Sequence, residues 1–242
     1  ASDAGTKVVL LEKMPNVGGN SLVSGAEMAA AGNWVQKKLG IEGDSVELHY
    51  QDTMKGGDMK GDPAVVRTMV ENALLAAEWC RDVIGVEFQE DNLFFFGGHS
   101  KKRSLIPKGA TGLDFITKFS AAAEKLGIPI ITNMKVEELV RDASGRVTGV
   151  KATMDGKRYT FSARKGVVIA TGGFAANVAM RTEANPFYGD GFKTTNMPSA
   201  MGEGITMAKN IGAQVVNMGL IQTYPMCDPN SGAIELIDDA RF

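Results

Sequence analysis

The chain has 242 residues, 44% of them hydrophobic and 22% charged, with a formal net charge of -2. These are globular values with room for a sizeable core, and the charge gives no argument for nucleic acid or an anionic membrane surface. No apolar run approaches the ~20 residues of a membrane helix, and the two cysteines, Cys80 and Cys227, form neither a disulfide framework nor a metal-type spacing.

In chain order, the first predicted element is a buried strand over 7–12, Lys7-Val8-Val9-Leu10-Leu11-Glu12. A parallel strand so close to the first residue needs neighbours on both sides, and Leu236–Phe242 stops without a closing element. The sequence therefore reads as part of a longer protein. A glycine-rich polar turn, Pro15–Ser21, leads into small residues up to Gly32, and 40–62 reads as loop. Asp62-Pro63 starts a long helix, with an acid at the N-cap and proline at the first helical position. Its buried stripe is Val66, Met69, Val70, Ala73, Ala77, Cys80 and Ile84.

Residues 86–110 read as irregular and carry Phe94-Phe95-Phe96-Gly97-Gly98-His99-Ser100. A second helix runs from Gly112 to Leu126, with Gly127 as its C-terminal cap. A strand over 128–133 precedes a meander with turns at Asp142–Gly145 and Asp155–Lys157; the Asp-Gly pair is a hairpin signal. The meander returns to a strand over 166–171 that stops at Thr171-Gly172-Gly173. A helix at 203–212 and a strand at 213–218 follow.

Three features carry chemistry. Glu12 stands at a strand end, where an acid can hydrogen-bond the ribose hydroxyls of a dinucleotide; a solvated strand-end acid is the alternative. Gly18-Gly19-Asn20-Ser21 can turn main-chain N–H groups toward a phosphate, or make a plain surface turn. Ala170-Thr171-Gly172-Gly173 lets backbone approach backbone or a ligand. Neither His49 nor His99 has a second ligand at metal spacing. His49 is assigned a surface role, and His99 a place beside any flavin.

Glu12-Lys13 with Gly18-Gly19-Asn20-Ser21, the meander and Ala170-Thr171-Gly172-Gly173 together resemble the FAD-binding domain of the glutathione-reductase-like flavoproteins. The longer series Gly97-Gly98-His99-Ser100, Thr195–Gly204 and Ile221-Gln222-Thr223-Tyr224-Pro225 resembles the soluble fumarate reductase and flavocytochrome c family across essentially the whole chain. That resemblance implies an α/β fold with a parallel central sheet and an inserted β-meander at about 136–165. The whole of 1–242 would be one FAD-binding domain, incomplete at both ends, with a substrate-side segment over 195–242. The first strand and a capping domain would lie outside this chain.

The implied FAD contacts are Glu12, Lys13, Gly18, Gly19, Asn20, Ser21, Ser24, Gly25, Ala26, Val136, Ala170, Thr171, Gly172, Gly202 and Gly204. Val136 is placed near the adenine, with core packing as its rival role. FMN or haem is implied only on domains outside the chain.

Departures from the fumarate-reducing pattern bear on substrate. The family has a histidine where this chain has Tyr224, and Thr-Glu where it has Asp238-Asp239. A phenol and an added carboxylate make a poor site for a dianion, because like charges repel in a water-poor pocket. They suit a substrate with one carboxylate and an N–H-bearing ring, and the pairing resembles that of urocanate-reducing members. Asp239 is placed slightly ahead of Asp238 as the ring contact; a capped turn is the alternative for both. Arg241 is assigned to a proton relay or to a surface salt bridge, since the main catalytic acid of the family lies beyond Phe242. The resemblance also implies an electron-donor domain or protein, anaerobic respiration and a periplasmic location. Reduction of another acrylate or of fumarate, ketosteroid dehydrogenation, and a non-catalytic electron-relay module stand as rival functions.

Overall fold

A computed structural model describes residues 1–2 and 4–223. Its elements run β1 (Leu10–Leu11), α1 (Gly19–Leu22), β2 (Met28–Ala29), α2 (Trp34–Lys38), α3 (Val46–Gly56), α4 (Pro63–Trp79), β3 (Phe88–Phe94), β4 (Ser104–Pro107) and α5 (Gly112–Lys125). They continue with β5 (Ile130–Ile131), β6 (Lys135–Arg141), β7 (Val147–Met154), β8 (Lys157–Ser162), α6 (Val178–Ala184) and α7 (Glu203–Asn210). They form two compact units. Unit 1 is Ala1–Val8 with Ser21–Pro129, and unit 2 is Val9–Asn20 with the described residues from Ile130.

In unit 1, α4 forms because the Asp62 side chain accepts from Ala64 N–H and Val65 N–H while Pro63 fills the first turn, where its missing N–H costs nothing. Val70, Ala77 and Cys80 of its stripe are buried, whereas Met69 is 46% exposed. The last turn widens into a π-helix, Cys80–Ile84, ended by Gly85 in the left-handed region at φ 83. This helix packs with Ala30, Val35, Val86, Phe88, Leu93 and Leu105 into one core. Cys80 is a free, buried thiol.

Two predicted irregular stretches of unit 1 are ordered. Within 40–62, Ser45 accepts from Leu48 N–H and starts α3. The helix was hidden because its buried face carries His49, Asp52 and Met54, a largely polar set that gives no apolar period. Within 86–110, β3 pairs antiparallel with β4, and β4 with β2. A register shift between Phe88 and Leu93 breaks the alternation that would mark a strand.

Unit 2 opens with β1 pairing parallel to β5, Leu10 opposite Ile130 and Leu11 opposite Ile131. The meander β6–β7–β8 is antiparallel and turns at Asp155 and Gly156, φ 50 and 74. Both residues sit in the left-handed region, as a two-residue hairpin turn that follows strand twist requires. Leu139, Val150 and Met207 make the core beneath it, with Leu11, Val136, Phe161 and Ile211 packed around them.

The parallel ladder covers less chain than predicted: β1 keeps two residues of 7–12, and β5 two of 128–133. Residues 166–171 and 213–218 are not strands. An apolar run becomes a strand only where a neighbour completes its ladder; Val168 is 90% exposed and Val216 76%. No helix of the described residues is long and apolar enough to cross a membrane.

Candidate functional site

The predicted cofactor residues fall in both units. In unit 2, Glu12 stands at the end of β1. Its N–H donates to the Ile131 carbonyl (2.9 Å), and its own carbonyl accepts from Met134 N–H (2.9 Å). The Glu12 carboxylate accepts from Met14 N–H at 2.7 Å and so closes the turn that follows. One carboxylate oxygen is thereby held in place, and the group remains half-exposed.

The Gly18-Gly19 turn has φ values of 117 and 48, open to glycine without strain. A Cβ at Gly19, Gly172 or Gly173 would meet nothing within 4 Å. The Cβ side of these positions is open space, which leaves room for a ligand to approach the backbone closely. Ala170 and Thr171 lead into Gly172 along the same exposed stretch. These residues fit FAD: an acid at a strand end, two bare glycine turns and a helix start within one unit.

Gly202 and Gly204 are glycine for a different reason. Gly202 is the left-handed N-cap of α7 (φ 75), without a side-chain cap. A Cβ there would meet Met180 Sδ at 2.6 Å and Phe174 Cβ at 2.8 Å; at Gly204 it would collide with Thr171 Oγ1 and meet Ile169 Cγ2 at 2.8 Å. The start of α7 thus sits hard against the Ile169–Phe174 stretch, and Gly202 N–H donates to the Gly173 carbonyl at 3.1 Å.

Lys13 and Asn20 have side chains turned onto the same unit. Lys13 Nζ donates to the Ser199 carbonyl (2.7 Å) and pairs with Glu203 Oε1 (2.6 Å). Asn20 Oδ1 accepts from Met197 N–H (2.7 Å), while its Nδ2 donates to Asn196 Oδ1. Asn196, Ser199 and Glu203 were absent from the sequence-based set; the Gly-Glu-Gly at the helix start was the only signal for the last. Val136 is half-buried and packs against the meander core.

In unit 1, Ser21 lies in α1, and Ser24, Gly25 and Ala26 follow its end. Ser24 Oγ donates to the Ser21 carbonyl (2.9 Å), and the Ser24 carbonyl accepts from Gly112 N–H (2.7 Å). A Cβ on Gly25 would meet the Glu27 carboxylate at 2.5 Å, and Ala26 adopts φ 58.

Unit 1 also holds a buried charge network that sequence reasoning missed. Arg103, 0% exposed, pairs through Nη2 with Asp44 (2.8 Å) and through Nη1 with Asp52 (2.7 Å). Asp52 further accepts from Ser100 N–H (2.8 Å) and Ser100 Oγ (2.6 Å). Burial alone would raise the Asp52 pKa, but Ser100 and Arg103 together hold it below the usual carboxylate range. His49, assigned to the surface from sequence, is 2% exposed. It lies edge-on to His99, ring centroids 5.8 Å apart. Burial, Arg103 and His99 pull its pKa down to about 4, against a smaller pull upward from Asp44 and Asp52. His99 is shifted the same way by burial and by Arg103.

Tyr224, Asp238, Asp239 and Arg241 lie outside the described residues. Among the described residues, no group of three or more His, Cys, Asp or Glu is arranged to hold a metal.

Comparison with known proteins follows the same lines. A family model described as a FAD binding domain matches residues 1–241. Urocanate reductase of Eggerthella lenta is 45% identical over all of this chain, which spans 40% of that protein. NADH:fumarate oxidoreductase of Klebsiella pneumoniae is 40% identical over 93% of this chain and 24% of its own length. The chain therefore covers less than half of these relatives. Among solved structures, the open conformation of a flavocytochrome c3 fumarate reductase superposes with a TM-score of 0.83 at 34% identity, over 88% of this chain and 37% of that one. The fold is thus the FAD-binding fold of these reductases, and FAD is the cofactor.

Proposed function

The chain belongs to the FAD binding domain family, and from that premise we propose that the whole protein is a flavin-dependent reductase of activated C=C bonds. Its substrate on this reading is urocanate, reduced to dihydrourocanate (imidazole propionate). The 1–242 stretch is one FAD-binding domain, as the unbroken family match over 1–241 supports. Bound FAD supplies hydride chemistry to an alkene conjugated with a carboxylate.

The residues of this chain do the rest. Glu12 and the bare turns at Gly18-Gly19 and Gly172-Gly173 bind and orient the cofactor. The Tyr224 phenol and the Asp238-Asp239 pair hold an imidazole ring, the carboxylate accepting from a ring N–H. Arg241 belongs to the relay that resupplies a proton. An electron donor carrying FMN or haem, and a periplasmic setting, complete the proposal.

The observation that carries the choice of substrate is Tyr224 followed by Asp238-Asp239, where the fumarate-reducing pattern has a histidine, cationic or neutral, and one carboxylate fewer. The 45% identity to a urocanate reductase supports it; the 40% identity to an NADH:fumarate oxidoreductase supports fumarate instead. An anaerobic assay of the full-length protein with reduced viologen separates the two. Urocanate should reoxidise the dye fastest, with fumarate and acrylate slow. Dye oxidised by fumarate and not by urocanate overturns the reading of Tyr224 and the aspartates.

A further inference from the structure

Lys13 and Asn20 sit where a dinucleotide ligand is expected, yet both side chains are occupied by the chain itself. Lys13 Nζ bridges the Ser199 carbonyl and the Glu203 carboxylate at 2.7 and 2.6 Å, with the two charged side chains 23% and 32% exposed. Asn20 uses both ends of its amide on Asn196 and Met197. The two anchors reach more than 170 residues along the chain and straddle one short segment, 196–203, which ends at the start of α7, where the Gly202 N-cap offers no side-chain hydrogen bond. The segment is also tied to 173–177, where Gly202 N–H donates to the Gly173 carbonyl, Ala176 N–H to the Ala200 carbonyl and Asn177 Nδ2 to the Met201 carbonyl; Lys13 and Asn20 hold its other side.

We infer that Lys13 and Asn20 are positioning residues: they latch the 196–203 segment and thereby set the start of α7 for FAD, without being FAD ligands through their side chains. The physical reason is economy of donors. Lys13 already meets a carboxylate and a carbonyl, so turning to a phosphate would only exchange one charge-assisted hydrogen bond for another and would leave Glu203 unpaired. An amide whose donor and acceptor are both matched is in the same position. Glu203, within the first turn of α7, is also favoured there by the helix dipole, so the latch closes where negative charge is already stabilised.

The inference rests on FAD as the bound group, and its test is binding of FAD to the full-length apoprotein, followed by flavin fluorescence and the visible flavin spectrum. Lys13→Met and Glu203→Gln should weaken FAD by similar amounts, about 10-fold each, as loss of one half-buried charge pair allows. The charge swap Lys13→Glu with Glu203→Lys should recover affinity to within about 3-fold. Asn196→Ala, which leaves Asn20 intact, should weaken FAD as well. If Lys13→Met costs far more than Glu203→Gln and the swap recovers nothing, Lys13 is a ligand and the latch is wrong. Wild-type affinity in Asn196→Ala overturns the Asn20–Asn196 half of the latch. Melting temperature without FAD, within a few degrees of wild type, identifies the variants that fold. Wild-type apoprotein that takes up no FAD overturns the cofactor assignment itself, a result distinct from either.

Discussion

The charge cluster around Arg103 in unit 1 and the ion pair beside the cofactor motifs of unit 2 are buried to different degrees. Unit 1 takes Arg103, Asp44 and Asp52 out of water, with side-chain exposures of 0%, 2% and 8%. Every partner is supplied from within: Gln36 donates to Asp44 and Ser100 to Asp52. Unit 2 leaves its Lys13–Glu203 pair a quarter to a third exposed and its glycine turns bare. Burying ions costs several kcal/mol each and is tolerated only where every lone pair is met, so the network of unit 1 acts as scaffold. The Lys13–Glu203 pair still touches solvent, so it is the more sensitive of the two to what binds beside it.

Removing the scaffold should have the largest effect. Arg103→Met leaves two buried carboxylates without a counter-ion and should cost about 3–5 kcal/mol, seen as a large fall in denaturation midpoint. A loss below about 1 kcal/mol would erase the distinction between the units.

Acid should act on the same network next. His49 has a folded pKa of about 4, against an ordinary value of 6.5. Between those values the unfolded state binds more protons, so stability is complete above 6.5 and declines as pH falls toward 4. The loss reaches up to about 3 kcal/mol. His49→Gln should flatten this part of the stability–pH curve; an unchanged curve would place the titration elsewhere.

In unit 2, Gly204→Ala drives a methyl into Thr171 and Ile169 and should cost about 1–3 kcal/mol, read by thermal unfolding. The smallest effect belongs to the exposed pair Lys38–Glu90, 56% and 69% exposed. Lys38→Ala should change stability by no more than about 0.5 kcal/mol.

Much of the fold was legible where local chemistry is decisive. Asp62-Pro63 announced α4, Gly127 (φ 62) closed α5, and Asp155-Gly156 set the hairpin. The legible elements share a signal carried by neighbouring residues. What failed depends on partners distant in sequence. Residues 166–171 have the composition of a buried strand, but composition cannot supply the ladder that makes one. α3 buries His49 and Asp52, whose partners His99, Ser100 and Arg103 lie about fifty residues on, so its inner face reads as polar loop. For the site, glycine motifs revealed where backbone is bare. They could not reveal that Lys13 and Asn20 reach across to 196–203, because that pairing exists only after folding. Nor could Gly202 and Gly204, counted among the implied FAD contacts, reveal that Met180 and Thr171 already fill the space a side chain would need.

Hydrogen exchange of the full-length protein with and without FAD tests the division between scaffold and cofactor cradle most directly. FAD should slow exchange at the backbone N–H groups of 18–20, 172–173 and 203–206, while the amides around Asp44, Asp52 and Arg103, already protected, stay unchanged. FAD binding that leaves 18–20 and 172–173 exchanging as before, with new protection confined to the Arg103 network, would contradict the assignment.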